Sequence, residues 1–378
     1  MTSRERVIGS LSKSGYDRIP VKHEGTPEVN QALMEHFGLR NYEQLLRVVG
    51  DDFRYVEAPY VGPELRTFPD GSIEGYWGER YKYQPYEGGK YLEATHLPYA
   101  GIEKLADLDR SHFPSASWFD YSTIKQQCDA IREQGFAVCF GTPGDLDFIN
   151  TISRARGMER VMLDLATENE VFLEILDART RFYYELHERA LQAAEGLIDI
   201  IHVGEDLGQQ AGPMIGMESF ERFFAARYGA HFDLAHRHGA KTMMHMCGCV
   251  EPFLNRLMEL GLDIQDVVQP TTPNMDIAYL AAHYGDRLHF CGTMCVQTTL
   301  PFGSAADVAK EVERRLALFP QGGLFLGPTH AIQVGTPIEN ILTMYRTTGS
   351  LREPDEEILA IGGEADEVSD KPNLSKLF

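Results

Sequence analysis

From about residue 136 onward the chain repeats one pattern, and that pattern leaves few folds open. Short β-rich runs end in Gly, Pro or polar residues, and an amphipathic helical stretch follows each. The runs are 136–140, 197–203, 241–245, 263–268, 287–290 and 323–326. Between them, 218–238, 250–260, 275–284, 305–319 and 337–345 carry apolar residues at helical spacing. Strands alternating with helices of this length predict a parallel sheet. Six such units, with room for more upstream, predict an α/β fold, a (β/α)8 TIM barrel, rather than an open sheet. No Gly-x-Gly-x-x-Gly follows a strand and no Gly-rich Lys loop of the phosphate-binding type occurs, so nucleotide-binding readings lose their main support.

The first 125 residues are less regular. Residues 16–21 read as an edge strand and 27–37 as a helix opened by Thr26-Pro27. Residues 56–100, rich in Tyr, Pro and Gly, read as an N-terminal looped extension covering one barrel end. The expected organisation is one domain over 1–352 and an acidic, non-periodic tail over 353–378.

Charge and cysteine usage narrow the partners. With 35 Lys+Arg against 56 Asp+Glu, the net charge is −21. That acidity disfavours nucleic acid, whose phosphates need clustered cations, and an anionic membrane surface. No run approaches the roughly 20 apolar residues of a membrane span, and the N-terminus lacks the apolar stretch of a signal peptide. The six cysteines lie at 128, 139, 247, 249, 291 and 295, a clustering unlike a disulfide framework. The expectation is a protein of the reducing cytoplasm.

Several chemically able side chains fall at predicted strand ends. His245 and Cys247, two residues apart at the end of one strand, share a face and can meet one ion. Imidazole and thiolate suit zinc. His330 ends the last strand, Cys291 and Cys295 flank the one before it, and Glu205-Asp206 closes the strand preceding His245. In a barrel all these ends surround one mouth, where active sites are built. Cys249 becomes a ligand only if the chain doubles back after Gly248. Adjacent carboxylates between glycines, Glu205 and Asp206, suggest that beside a cation one ligates it while the other holds a protonated donor.

As a set, Asp17-Arg-Ile-Pro-Val21, Gly204-Glu-Asp-Leu-Gly208, Gly239-Ala-Lys241, His245-Met-Cys-Gly248, Leu300-Pro-Phe-Gly303, Gly327-Pro-Thr-His330 and Thr336-Pro-Ile-Glu-Asn340 resemble the uroporphyrinogen decarboxylase superfamily. The resemblance runs from about residue 4 to 350 and implies a (β/α)8 barrel. That superfamily holds porphyrinogen decarboxylases and corrinoid-dependent methyltransferases. The decarboxylases carry an Arg-rich N-terminal motif that grips carboxylates; here the stretch reads Val21-Lys-His-Glu-Gly-Thr-Pro27, with one Lys and no Arg. His245-Met-Cys247-Gly248 is instead similar to the zinc motif of the methyltransferases.

The resemblance therefore implies a zinc methyltransferase with His245, Cys247 and His330 as ligands and one zinc per chain. Members that methylate coenzyme M have a Cys where His330 stands and a Glu near Gln269, which leaves methyl ethers and methylamines beside thiols as substrates. Glu205 and Asp206 are the expected catalytic groups, and Gln269, Gln297 and Gln333 the expected substrate contacts. The chain lacks an Asp-x-His-x-x-Gly corrinoid motif, so the corrinoid is expected on a separate partner protein. A homodimer is compatible with this scheme. Uroporphyrinogen decarboxylation, or a metal-free binding barrel that lost its chemistry, are the alternatives.

Overall fold

A computed structural model of the chain describes residues 1–362. These residues form ten strands. These are β1 (Phe53–Tyr55), β2 (Ile73–Glu74), β3 (Arg80–Tyr86), β4 (Gly89–His96), β5 (Ala137–Gly141), β6 (Ile200–Gly204), β7 (Lys241–His245), β8 (Ile264–Asp266), β9 (His289–Cys291) and β10 (Leu324–Phe325). Seven form one sheet in the order β1-β5-β6-β7-β8-β9-β10, every pair parallel.

Strand alternation shows that this sheet curls. Phe53, Ala137, Cys139, Ile200, Met243, Ile264, Cys291 and Phe325, at least one residue from each strand, form a single buried cluster closed at the base by Val7. The rings of Phe53 and Phe325, from the first and last strands, meet edge to face at 5.0 Å. The opposite strand faces, such as Val138, Ile201, Val203, Met244 and Phe290, pack with the helices in a second, larger cluster. Each such side chain removed from water is worth about 1.5–3 kcal/mol, so the helical coat and the interior together fix the curl.

The fold is thus α/β and TIM-barrel-like, but among the described residues the sheet has seven strands rather than the eight expected. Between β10 and β1 lies the stretch 19–23, which overlaps the edge strand read from sequence over 16–21. It makes one parallel bridge, Val21 to Leu326. Leu326 N–H donates to the Pro20 carbonyl at 2.8 Å and Asp52 N–H to the Val21 carbonyl at 2.9 Å. The ladder stops there for chemical reasons. Pro20 has no N–H, and Val21 N–H is taken by the Asp52 carboxylate at 2.8 Å.

The stretch 56–100, expected as loops, holds an antiparallel sheet of order β2-β3-β4. Glu87-Gly88 turns β3 into β4, and Gly88 takes φ +89°, a conformation that favours glycine. Arg156 anchors the region that follows this sheet. Its buried guanidinium pairs with Asp164 and donates to the carbonyls of Tyr99 at 2.8 Å and Ile102 at 2.9 Å. The helix expected over 218–238 is present but widens into a π-helical stretch over Phe220–Ala225. In the tail, a short helix over Glu356–Ala360 is held by Arg40 and Gln44, which donate to the Leu359 carbonyl. Residues 363–378 of that tail lie outside the described residues. All six cysteines are free thiols, and no described helix is long and apolar enough to cross a membrane.

Candidate metal centre

The polar layer above the apolar interior arises from a repeated pairing within the strands. Phe53-x-Tyr55, Ile200-x-His202, Met243-x-His245 and Ile264-x-Asp266 each place an apolar residue in the interior and a polar one on the same face, one step nearer the C-terminal end. Asp266 gathers this layer. Its Oδ2 lies 3.1 Å from His202 Nε2 and 3.2 Å from His245 Nδ1, and its two oxygens lie 3.3 and 3.4 Å from Lys22 Nζ. His202 Nδ1 is hydrogen-bonded to the Tyr55 hydroxyl at 3.0 Å. Burial opposes the charge on Asp266, but the Lys22 ammonium and the two imidazoles hold its carboxyl well below the ordinary range. Burial pushes His202 toward its neutral form.

Above this layer stand His245, Cys247 and His330. Their ligand atoms all lie within 4.8 Å of one another. His245 Nε2 is 3.3 Å from Cys247 Sγ, and the rings of His245 and His330 meet nearly edge to face at 6.0 Å. Because Asp266 occupies Nδ1 of His245, Nε2 is the nitrogen that faces Cys247. A carboxylate on the far nitrogen is the arrangement that fixes the tautomer of a metal-binding histidine. Burial works against a charged His245, yet Asp266 and Cys247 beside it raise its pKa well above the usual imidazole value. His245 is buried, Cys247 half-buried and His330 exposed, so the group opens toward solvent. Tyr55, although on an inward strand face, is 39% exposed, which shows that the mouth is open above the polar layer.

Two imidazoles and a thiol are a donor set that suits zinc and leaves a fourth position free. A second grouping of His202, His245 and Asp266 is equally close. It shares His245 with the first, and the Lys22 ammonium already supplies a cation beside its carboxylate. The first grouping fits a metal better.

Two glycines let the ligand loop form. Gly248 takes φ +76°, and a Cβ there would stand 2.7 Å from the Gln209 nitrogen. A Cβ on Gly208 would stand 2.7 Å from the Cys247 carbonyl oxygen. The turn at Gly248 sends Cys249 away from the group, and its thiol donates to the Pro273 carbonyl at 3.3 Å. Cys291 and Cys295 are buried outside the ligand group, and burial drives the Cys291 thiol pKa upward.

The other sequence-predicted residues divide. Gln269 accepts from Gly248 N–H at 3.0 Å and donates to Gln297 at 2.9 Å, so both belong to the ligand loop's surroundings. Gln333 is exposed and donates to the Ala331 carbonyl at 2.8 Å, apart from that pair. The Glu205 carboxylate accepts from the N–H groups of Phe148 and Ile149, at 3.1 and 3.0 Å, and from the Tyr228 hydroxyl. It thereby caps the helix over Phe148–Arg156. Asp206 is half-buried and accepts from the Asn150 amide at 3.2 Å. Tyr55, His202, Asp266 and Lys22 were missed by sequence reasoning; the repeated apolar-x-polar spacing is the signal that finds the first three.

Glu205 lies beside Asp147, which is also buried. Burial, then the charge of Asp206, pushes the Asp147 pKa up to about 6. Burial beside Asp147 pushes Glu205 up further, so the pair holds a proton between them. The folded chain therefore retains a proton there that the unfolded chain releases near pH 4, and stability falls as pH rises through 6. Asn at this position keeps the helix cap without the charge. Asp147→Asn is expected to stabilise the protein by about 1–2 kcal/mol at pH 8 and to bring no gain below about pH 4. Denaturant unfolding at the two pH values checks this; destabilisation at pH 8 would refute it.

Residues 148–350 match the protein-family model described as uroporphyrinogen decarboxylase (URO-D). No curated protein matches the chain. Among solved structures, a methyltransferase from Methanosarcina mazei is similar with TM-score 0.64 and 17% identity, over 92% of this chain and 98% of that one. A B12-independent methionine synthase from Shewanella sp. W3-18-1, in complex with selenomethionine, is more distant, with TM-score 0.37 and 11% identity over 88% and 94% of the two chains. The first likeness extends the shared fold to nearly the whole chain. The matched stretch holds five of the seven sheet strands and all of His245, Cys247 and His330; the chain belongs to the uroporphyrinogen decarboxylase family.

Proposed function

We propose that this protein is a cytoplasmic zinc-dependent methyltransferase. It exchanges a methyl group between a small methyl ether, methylamine or thiol and a corrinoid carried by a separate protein. The observation that carries the reading is the solvent-facing convergence of His245, Cys247 and His330, with Asp266 fixing the orientation of His245. The similarity in fold to a methyltransferase agrees with it. Zinc bound there would supply a Lewis acid for the substrate's heteroatom.

The chain's own residues have separable tasks. Asp266 holds His245 so that Nε2 faces the open side. Asp206, half-buried and steadied by Asn150, gives or takes the substrate's proton. Glu205 acts from behind it, holding the helix start that presents Asn150. The linked amides of Gln269 and Gln297 offer a polar edge to the substrate, and Gln333 offers a further one on the rim. Two imidazoles and one thiolate donate less charge than a two-thiolate set, which suits an ether or amine donor as well as a thiol.

The family's name favours a second reading, porphyrinogen decarboxylation. A polycarboxylate needs a cationic clamp, whereas the lining of the cleft beside Asp266 carries one cation, Lys22, against two carboxylates. The test uses zinc-loaded full-length protein with free cobalamin and a panel of methyl donors and acceptors. A corrinoid absorption change is expected in wild type and none in Cys247→Ala. Chelator-insensitive CO₂ release from uroporphyrinogen would overturn the proposal in favour of decarboxylation. A protein that holds no metal and changes no corrinoid spectrum would be a silent binding barrel.

A further inference from the structure

We infer that Glu24 sets the charge class of the substrate: the site takes a molecule whose substituent next to the reacting heteroatom is neutral or cationic, not anionic. This rests on His245, Cys247 and His330 being the metal site and adds what lies beside it.

The placement follows from alternation. Val21 packs in the outer cluster, so Lys22 points inward and Glu24 points inward one step nearer the mouth. The Glu24 carbonyl accepts from Ile332 N–H at 3.0 Å, which seats the residue against the loop that carries His330. Its carboxylate lies 3.5 Å from Lys22 Nζ and its side chain is 32% exposed. Burial and the neighbouring Asp266 oppose its charge, and the ion pair with Lys22 holds it. Glu24 is therefore an anion paired with Lys22 and seated beside the loop that carries His330.

Charge balance does the rest. Lys22 is committed to Asp266, at 3.3 and 3.4 Å, and to Glu24. The small cleft formed by Lys22, Glu24, Asp266, Cys291, Gly292, Gly327 and Pro328 holds no other cation among the described residues. With Cys247 ionised on metal binding, three anions face one cation, which balances a divalent ion and leaves no positive charge for an anionic substituent. A sulfonate or carboxylate arriving here meets the free edge of Glu24 as a like charge. An ammonium or hydroxyl meets it as a partner.

Three thiols of similar length and different end group test this: 2-aminoethanethiol, 2-mercaptoethanol and 2-mercaptoethanesulfonate. Each is titrated into the Co²⁺-loaded full-length protein, and the visible absorption of cobalt reports thiolate ligation without turnover. In wild type the aminothiol is expected to bind about tenfold more tightly than the sulfonate, with the neutral thiol between them. Glu24→Gln should shrink that ratio to within about threefold, while Glu24→Asp should preserve the order. Comparing the ratio between variants cancels the intrinsic differences among the thiols. Equal or tighter binding of the sulfonate in wild type, or an unchanged ratio in Glu24→Gln, overturns the inference while leaving the metal site standing. Failure of Co²⁺ to give a thiolate-ligated spectrum before any thiol is added overturns the metal reading and this inference with it. A loaded protein that responds to none of the three thiols overturns this inference alone.

Discussion

Purified protein is expected to carry about one zinc per chain, and Cys247→Ala or His245→Ala to carry less than about a tenth of that. Three protein ligands are the minimum for a tight catalytic zinc, and removing one leaves a two-ligand site with an exposed member, His330. Asp266→Asn should be graded rather than absolute. It keeps the volume and one acceptor but loses the charge that holds His245 Nδ1, and it should weaken zinc about 10–100-fold. The Cys247 variant should still fold, because Cys247 is half-buried and lies outside both apolar clusters. Metal analysis after dialysis, with competition against a chromophoric chelator, measures all three. Full zinc in both ligand variants would place the ion elsewhere.

The largest stability loss is expected at Arg156→Ala, about 3–5 kcal/mol by denaturant unfolding. The guanidinium is wholly buried, 0% exposed, and its partner Asp164 is 1% exposed. Truncation leaves Asp164 with Arg160 at 2.9 Å as its remaining ion-pair partner, and strips a donor from the buried ends of two carbonyls. The damage should reach residues 99–102 first, since those carbonyls belong to Tyr99 and Ile102. A loss below about 1 kcal/mol would show that neighbouring groups or water replace the guanidinium's bonds.

The strands legible in the sequence were those lying within β-rich, mostly apolar runs, β8 through the Val267-Val268 that follow it. The runs at 241–245 and 323–326 fall on β7 and β10, and the other four land within a few residues of β5, β6, β8 and β9. β1 gave no such signal because its outward residue is Arg54, which pairs with Glu43 and Asp51 rather than packing in the apolar coat. The β3–β4 hairpin was illegible for the opposite reason: both its faces meet solvent over most of their length, so no alternation is selected. At the site, His245, Cys247 and His330 could be named by residue type and strand-end position. Asp266 and Lys22 could not, since the two meet across 244 residues of chain and only the curl of the sheet brings them together. Glu205 was legible as an unusual carboxylate. Its partners, the N–H groups of Phe148 and Ile149, depend on where a neighbouring helix begins.

The contact between Gly208 and the Cys247–Cys249 backbone has a mechanical meaning. With no room for even one methyl group between the two loops, neither can slide without carrying the other. Asp206 rides on one loop and Cys247 on the other, and Glu205 N–H is tied to the His245 carbonyl at 2.9 Å. On the proposed reading, the group that would handle a proton and the group that would grip an ion are geared together. A shift that loosened one would spoil the alignment of both, and a change meant to re-aim either must move the pair as a unit.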